Sequence, residues 1–593
     1  MQRISRGDLL GALPIFLLEI TWGGRIFRFS SYPLDIQTDG GKSIHYSGGL
    51  SDPDWSESME EMKGPEKNSI PIELVFPVNL LQEFFQFGRL LDNATAELSM
   101  VTERGAVVQQ THEKRTRLFS GDIVQPIIGN PERPEGYAAF SIERNPANKP
   151  EPIIKATGFF NANSSVSPPA PPAPAVNAPI EFSDGSVYPL IIGRPYQYFY
   201  TGHLGAAQND TLYGSPAFII HRIITISGIG YYQDFDKFWL CIALGEVAAA
   251  TVTIRDYQNN VKTGVPVLKF LTSEGIIISY VEMQYAEWTG SAALVDGIVN
   301  PWMISGGHAG LEHGNCETDN PRYYVSWSGG GGTLNTYGPG ALEGAGDVIL
   351  YFLDMCGADI DRNAWQNVAT YLNNWKIGGY IDDPELAPYQ FLQDNVFPFV
   401  PVHSVNGADG LRPVIPLIYL SKIPRPIYDV TLGAGFYFVS PVEWASEPED
   451  VVNRLMLRYA FDVFLDGLAT FVKIDPEPSN NHGMITSSDL SIVSRTKYGD
   501  RYREIEAGYI SDFKTAMRAA QYIIRRRALP KMTMEIQADP LYGWLQLGDI
   551  LSVTSAGYFM ENFKLQIIEK SWKNGSWLFT VELENNVSIN RRN

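Results

Sequence analysis

Two aspartates in an aromatic segment are the acid groups most suggestive of catalysis. Asp234 and Asp236 are two residues apart, and residues at this spacing on a β-strand point to the same face. Such a pair could serve as acid and base on a sugar stacked against aromatic rings. The aromatic neighbours are Tyr231, Tyr232, Phe235, Phe238 and Trp239. Aromatic strands more often form a core or an interface, and two carboxylates specify little, so we assign no catalytic residue.

A glycine-rich segment brings together side chains that can bind a metal ion. His308, His313 and Cys316 fall within nine residues, with Glu312 and Glu317 beside them. No further Cys or His stands at the spacing that a zinc site requires. The three cysteines of the chain are widely spaced, which also argues against a disulfide framework. The sequence therefore predicts no metal site and no cofactor.

Two glycine motifs resemble nucleotide-binding loops but fail on spacing. Gly41-Lys42-Ser43 would need a glycine where Ile36 stands, so this segment is interpreted as a hairpin turn on Asp39-Gly40-Gly41. A second set misses the dinucleotide-binding spacing by one residue and is interpreted as loop: Gly338, Gly340 and Gly344. The chain also contains no H-E-x-x-H and no G-x-S-x-G motif.

The run Arg525-Arg526-Arg527 could contact DNA or the acidic edge of a partner. It stands where a helix is predicted to end, and cations there complement the negative end of the helix dipole. We therefore expect the three arginines to serve the helix end and to stay solvated.

Composition limits the class of protein. The chain has 593 residues, 44% apolar and 19% charged, which indicates several globular domains with real cores. Its formal net charge of −20 argues against sequence-independent binding of nucleic acid, which requires clustered cations. An acidic surface would let DNA slide past without sticking, but it also serves solubility alone.

The N-terminal segment superficially resembles a secretory signal. Its apolar run is only ten residues long, Gly11 and Pro14 interrupt it, and no small-residue cleavage site follows. Residues 15–22, Gly23-Gly24 and residues 25–29 instead predict a β-hairpin. No stretch approaches the roughly 18 apolar residues of a membrane span, so we predict a soluble chain with no stable membrane span.

Residues 1–163 are predicted to form a first β-barrel domain that carries one helix. Apolar residues alternate along 70–76, a short helix is expected at 78–87, and strands follow at 94–101 and 118–124. Residues 164–179 contain six prolines and are interpreted as a stiff linker, although a surface loop within one domain remains an alternative. Residues 180–335 predict an inserted β-rich domain.

Residues 336–425 change to a helical pattern, which predicts a helical or mixed domain. Two sets of residues have the spacing of an amphipathic helix: Ile349, Phe352, Leu353 and Cys356, then Trp365, Val368, Ala369 and Leu372. Pro384 would suit the first turn of a further helix.

Residues 426–593 predict a second β-barrel domain with one helix. Ser511 or Asp512 can cap a helix that Pro530 ends, and Asn574-Gly575 predicts a hairpin between the last two strands. The expected buried face of the helix is Phe513, Ala516, Met517, Ala520, Ile523 and Ile524. The predicted fold class is mainly β with α+β parts: a multidomain chain with two related small β-barrels each carrying a helix, an inserted β domain and a short helical region.

The order of these signals resembles a known family. The motifs are residues 494–501 (SRTKYGDR), the alanine-rich helix, Pro530, and residues 547–554 (LGDILSVT). With the 16–29 hairpin and residues 117–122 (RLFSGD), they resemble the central hub proteins of bacteriophage tail tips and baseplates. The resemblance spans most of the chain, but 180–335 cannot be matched, and we expect the protein to lack the long C-terminal extension that some hub proteins carry.

The resemblance implies a structural virion protein of the tail tip, made in the host bacterial cytoplasm, and not an enzyme. It implies a homotrimer that adapts a six-fold tail tube to three-fold tip components. Partners would be distal tail or tail-tube ring proteins above and tip, fibre or tape-measure proteins at the axis. DNA would pass through the lumen without specific binding, and the helical region would help to close or gate the channel.

Two alternatives stay open. One is a tail-associated glycan-binding or cell-wall-degrading enzyme, which requires two carboxylates about 5–10 Å apart in an aromatic cleft. The other is a different tail ring component. One barrel per chain would suit a hexamer and two per chain a trimer, so the duplicated barrel favours the hub.

Overall fold

The computed structural model describes most of the chain outside a few segments. The described residues are 13–53, 55–59, 68–75, 91, 94–130, 133–144, 189–197, 212–226, 230–256, 261–271, 277–284, 323–326, 331–381, 383, 385–423, 425–432, 436–439, 443–444, 450–462, 467–475, 485–486, 489–555, 560–573 and 575–583. Strands predominate and helices are few, which confirms the predicted fold class. The expected helix at 78–87, the proline-rich linker, Pro384 and the 308–316 segment lie outside the described residues.

The N-terminal region forms one curved antiparallel sheet. All strands of this region except β3, β4 and β5 belong to the sheet: β1 (Leu13–Trp22), β2 (Arg25–Ser30), β3 (Leu34–Gln37), β4 (Ser43–Tyr46), β5 (Trp55–Ser58), β6 (Asn68–Val75), β7 (Thr95–Arg104), β8 (Val107–Val108), β9 (Thr116–Asn130) and β10 (Arg133–Arg144). The order in this first terminal sheet is β2-β1-β7-β9-β10-β6, with β8 on β7. The β1–β2 pairing confirms the predicted hairpin. Ile70, Ile72 and Leu74 alternate inward, as their period of two predicts.

The middle of the chain forms a ten-stranded sheet. Its strands are β11 (Leu190–Ile192), β12 (Tyr196–Gln197), β13 (Leu212–Ile226), β14 (Gly230–Leu244), β15 (Thr251–Asp256), β16 (Val261–Pro266), β17 (Leu268–Leu271), β18 (Ile277–Gln284), β19 (Tyr323–Ser326) and β20 (Gly379–Ile381). The last strand comes from the helical region and pairs with β11, so this sheet and the helices are joined by backbone hydrogen bonds.

The helical region contains α1 (Ala345–Met355), α2 (Arg362–Leu372) and α3 (Pro388–Asn395). Both predicted apolar faces are buried, and the Asp361 side chain caps α2 by accepting a 3.0 Å hydrogen bond from Ala364 N. Pro388 occupies the first turn of α3. A buried hairpin of β21 (His403–Gly407) and β22 (Gly410–Val414) follows.

The C-terminal region forms two sheets and two helices. The elements are β23 (Ile427–Thr431), β24 (Phe436–Phe438), β25 (Glu443–Trp444), β26 (Arg454–Asp462), β27 (Gly467–Ile474), β28 (Ile485–Thr486), α4 (Asp489–Tyr498), β29 (Tyr502–Ala507), α5 (Phe513–Arg527), β30 (Met532–Ala538), β31 (Ile550–Ser555), β32 (Met560–Lys573) and β33 (Ser576–Leu583). A four-stranded sheet has the order β28-β27-β26-β29. The second terminal sheet has the order β23-β31-β32-β33-β30-β24, with β25 on β30 and β5 on β32.

Helix α5 begins as the sequence predicts but buries a somewhat different face. The Asp512 side chain accepts a 3.0 Å hydrogen bond from Thr515 N. Ala516, Ala520, Ile523 and Ile524 are buried, whereas Phe513 is 44% exposed, so its predicted place in the core is wrong. As the first helical residue, Phe513 precedes the turn that packs on the sheet. The small residue Ala519 and the ring of Tyr522 fill the core instead.

The two terminal sheets have the same cyclic order of strands. Numbering six strands of each sheet by their position along the chain gives 2-1-4-5-6-3 for the first and 1-4-5-6-3-2 for the second. If the two ends of each order are joined, both orders give the same cycle. The first sheet lacks the pairing between strands 3 and 2, and the second sheet lacks the pairing between strands 2 and 1. One direction differs, because strand 1 runs antiparallel to strand 4 in the first sheet and parallel in the second. Two related half-barrels are thus present.

The hydrophobic cores join distant parts of the chain. One core combines side chains from both terminal sheets, including Phe16, Phe119, Ile536 and Trp577. Another combines the helical region with residues 452–528, which include the four-stranded sheet and α5. Residues 426–593 therefore contribute to two cores, and the predicted domain ranges stay predictions.

Candidate functional site

A short strand from the N-terminal region completes the second terminal sheet. β5 pairs antiparallel with β32, so that Glu57 lies opposite Lys570 and Trp55 opposite Trp572. The alternation along β5 turns Trp55 and Glu57 inward and their neighbours outward. Because the two strands come from opposite ends of the chain, this pairing ties the first terminal sheet to the second.

Lys570 is buried at this junction, with 2% of its surface exposed. Its Nζ donates a 2.6 Å hydrogen bond to the Gly543 carbonyl oxygen. The same atom lies 4.8 Å from the ring centre of Trp55 and 4.4 Å from that of Trp577, where a cation is attracted to the faces of aromatic rings. Burial nevertheless lowers the pKa of Lys570 to about 8, against the pull of nearby carboxylates.

Glu57 is the acidic partner in this cluster and is also buried. Burial raises the pKa of Glu57 to about 7, although Lys570, Arg144 and Arg412 all favour its charged form. Burial therefore favours the neutral form of both groups within the contact between the terminal sheets. The sequence indicates only that Glu57 lies on the same face of its strand as Trp55, because residues two apart on a strand share a face.

Aromatic rings from both ends of the chain surround the pair. Trp55 and Trp577 meet edge to face with centroids 5.3 Å apart, and Phe16 meets Trp572 at 5.2 Å. Trp572 and Trp577 are 4.9 Å apart. Edge-to-face pairs add to the free energy of burial, so this cluster stabilises the contact between the two sheets.

Arginines connect the β21–β22 hairpin to both terminal sheets. Arg144 from the first sheet donates to the carbonyl oxygen of Gly407 in the hairpin. Arg412 in the hairpin donates to the Leu547 carbonyl oxygen and to Asp549, at 3.1 Å from the carboxylate, beside the second sheet. The hairpin itself contributes to both cores. It therefore links the terminal sheets to the helical region.

A second charged cluster surrounds Glu19 on the first terminal sheet. Its carboxylate accepts hydrogen bonds from Arg28 Nε at 2.7 Å, Tyr46 OH at 2.9 Å and Arg115 Nη2 at 3.1 Å, and His112 Nε2 lies 3.0 Å away. Burial by itself raises the pKa of Glu19, but these neighbours outweigh it and lower the pKa to about 2.

An acidic cleft of about 330 Å³ opens next to this cluster. Its carboxylates are Glu19, Glu97, Asp122, Glu143 and Asp359. Two of them already hold cations, because Arg115 bridges Glu19 and Glu97 at 3.1 and 2.6 Å. Asp122 and Asp359 are exposed and form no salt bridge to any described residue. Arg144 also lines the cleft, but carboxylates outnumber cations in its lining, so the cleft presents a negative surface.

The glycine motifs that resemble nucleotide-binding loops lie in turns and loops and at the start of a helix. The Gly41 segment is a hairpin turn, as predicted: Thr38 N donates to the Lys42 carbonyl oxygen at 2.7 Å, and Gly41 has a φ of 76°. Gly338 and Gly340 lie in a loop, while Gly344 caps the start of α1.

The structure describes the side chains of the arginine run but not those of the acid pair. Asp234 and Asp236 lie on β14, as their strand pattern predicts, but their side chains are outside the described residues. The expectation that all three arginines stay solvated is wrong for Arg526, whose side chain is only 9% exposed and donates two hydrogen bonds of 2.7 and 3.1 Å to Glu582. Strand β33 supplies Glu582, a long-range partner that the local sequence could not indicate.

No group of three or more potential metal ligands occurs among the residues that the structure describes. Within the same residues, no helix is long and apolar enough to span a membrane.

No family model and no curated protein matches the chain. Among solved structures, it is similar to a protein of the virion of a native gene transfer agent particle, with 11% identity over 65% of this chain and 89% of that chain and a TM-score of 0.33. It is similar to the 43 kDa tail protein of prophage MuSo2 from Shewanella oneidensis, with 9% identity over 96% and 98% of the two chains and a TM-score of 0.32. A phage P2 baseplate chain gives 8% identity, 67% and 100% coverage and a TM-score of 0.16. Scores of this size do not establish a shared fold.

Proposed function

We propose that the chain is a structural protein of a bacteriophage virion, the trimeric central hub of a tail tip or baseplate. In this role it adapts a six-fold tail tube to three-fold tip components and helps to close or gate the DNA channel. The observation that supports the proposal is the shared cyclic strand order of the two terminal sheets. One chain therefore carries two like modules.

Two like modules per chain suit a change of symmetry. Three copies around an axis would present six similar sheets to a six-fold ring, and three copies of everything else to the components below. Contacts between unlike surfaces, repeated around an axis, close into a ring of this kind. The junction at Glu57 and Lys570 would hold the two modules of each chain in a fixed relation.

The charge of the chain is compatible with a channel for DNA. A net charge of −20 disfavours adhesion of phosphates to the protein surface. We propose tail-tube or distal tail ring proteins above the ring and tip, fibre or tape-measure proteins at the axis as partners. The chain would act in the virion after synthesis in the host cytoplasm, and no enzymatic activity is proposed.

Measurement of the mass in solution tests the proposal. Light scattering on the purified full chain should give three times the chain mass of 66.0 kDa. Incubation with purified host cell wall, with lysozyme as a positive control, should release no soluble fragments. A stable monomer that hydrolyses cell wall would contradict the hub and favour a tail-associated enzyme.

A further inference from the structure

Helix α5 presents a positively charged stripe on its outer face. Lys514, Arg518, Gln521 and Arg525 are exposed and occur at helical spacing, so that they share one side of the helix over roughly 16 Å. The opposite side is buried in the core with the helical region. The stripe is therefore held on a rigid support.

The cations of this stripe are only partly used within the chain. Arg518 donates to the Asn374 carbonyl oxygen and lies 5.7 Å from the centre of the Trp375 ring. Lys514 and Arg525 form no salt bridge to any residue that the structure describes. Two cations thus remain available in a chain whose formal net charge is −20.

The acidic cleft of the first terminal sheet is complementary to this stripe. It offers Asp122 and Asp359 as exposed carboxylates without a salt bridge to a described residue, beside the more buried Glu97 and Glu143. Copies of a chain with a charge of −20 repel each other overall, so a contact between them requires local complementarity. Lys514 and Arg525 on the stripe and Asp122 and Asp359 at the cleft are exposed charges of opposite sign that form no salt bridge within the described residues.

We infer that the outer face of α5 docks into the acidic cleft of a second copy of this chain. The inference rests on the proposed trimer and names the surfaces through which it forms. The stripe and the cleft lie on different elements, so the contact is heterologous, and each copy uses its stripe on one neighbour and its cleft on the other. Contacts of this type close into rings.

Charge reversal tests the contact. Sedimentation of the full chain should show that Lys514→Glu with Arg525→Glu raises the dissociation constant of the assembly by at least about tenfold. Asp122→Lys with Asp359→Lys should do the same. A control matched to the stripe variant, Lys42→Glu with Lys564→Glu, makes the same change in net charge at two exposed positions elsewhere and should assemble like the wild type.

A variant with all four reversals at the stripe and the cleft has its charges exchanged and should regain assembly. Circular dichroism and the unfolding temperature show that each variant folds, and the milder pair Lys514→Gln with Arg525→Gln should weaken assembly in the same direction. Salt at about 0.5 M should weaken wild-type association, since screening then acts over a few ångströms.

The outcomes separate the contact from the trimer. A wild-type chain that stays monomeric contradicts both the trimer and the contact. A wild-type trimer whose mass persists in both reversal variants overturns only the contact. Binding of a short DNA duplex that depends on Lys514 and Arg525, with assembly unchanged, overturns it as well and assigns the stripe to nucleic acid.

Discussion

The two terminal sheets share a strand order but treat a buried carboxylate in opposite ways. On the first sheet, Glu19 has three hydrogen-bond donors and a histidine around it, and its pKa falls to about 2. At the edge of the second sheet, burial dominates, and the pKa of Glu57 rises to about 7. The pKa of a buried carboxylate therefore depends on whether enough hydrogen-bond donors reach its oxygens to replace water. The strand order of the sheet does not determine this pKa.

This difference gives the two carboxylates different roles. Glu19 stabilises the first sheet as an anion, whereas Glu57 and Lys570 are costly to bury and contribute chiefly to the register of β5 on β32. A shift of one residue would turn Trp55 and Glu57 to the other face of the strand.

Removal of Lys570 should have the largest effect. Lys570→Ala deletes the partner of a buried carboxylate and the cation between two tryptophan rings, which should cost about 3–5 kcal/mol. The measurement is the free energy of opening of β32, from hydrogen exchange of its amides. Lys573→Ala, at an exposed position of the same strand, should change it by less than about 0.5 kcal/mol.

A double substitution distinguishes loss of the pair from loss of volume. Glu57→Leu with Lys570→Met removes both charges and keeps apolar bulk, and should restore β32 to at least the wild-type free energy of opening. Equal losses in Lys570→Ala and in the double variant would show that the charges are not what makes the single change costly.

The pH dependence should have opposite signs in the two sheets. The folded pKa of Glu19 lies below its ordinary 4.5, so its contribution is present above pH 4.5 and lost as pH falls towards 2. The folded pKa of Glu57 lies above 4.5, so its contribution is present below pH 4.5 and lost as pH rises through about 7.

Glutamine substitutions measure these signs. Glu19→Gln should destabilise the first sheet by about 2 kcal/mol at pH 7, with the difference from wild type vanishing near pH 2. The free energy of unfolding of Glu57→Gln should rise relative to that of the wild type by about 1–2 kcal/mol as pH increases from 4.5 to 7. Denaturant unfolding followed at several pH values gives both curves, and slopes of the same sign would contradict the contrast.

A single donor to Glu19 should have the smallest effect. Tyr46→Phe removes a 2.9 Å hydrogen bond from a buried ring and should cost about 1 kcal/mol in the free energy of unfolding. Tyr32→Phe removes an exposed hydroxyl contact with Glu103 and should change it by less than about 0.5 kcal/mol. Indistinguishable values would mean that the tyrosine is not needed to hold the Glu19 anion.

Local patterns in the sequence predict much of the fold. The first hairpin, the apolar faces of α1 and α2 and the Asp512 cap all depend on residues close together in the chain. The hairpin at Gly575 is of the same kind, with a φ of 76° that glycine adopts readily. Such elements are predictable because neighbouring residues alone determine their geometry.

The junction was not predictable, because long-range contacts create it. Nothing near Glu57 indicates that β5 pairs with β32, and nothing near Arg526 indicates the carboxylate of Glu582. The burial that sets the pKa of Lys570 comes from rings on both strands. Sequence patterns could place Glu57 on the face of Trp55, but they could not supply its partner.

Electron cryomicroscopy of the assembled full chain would show whether two like modules in one chain reconcile six-fold and three-fold neighbours. The account predicts three copies around one axis, with the first and second terminal sheets alternating to form a ring of six. A ring lined by only one of the two sheets, or an assembly with a number of copies other than three, would contradict it.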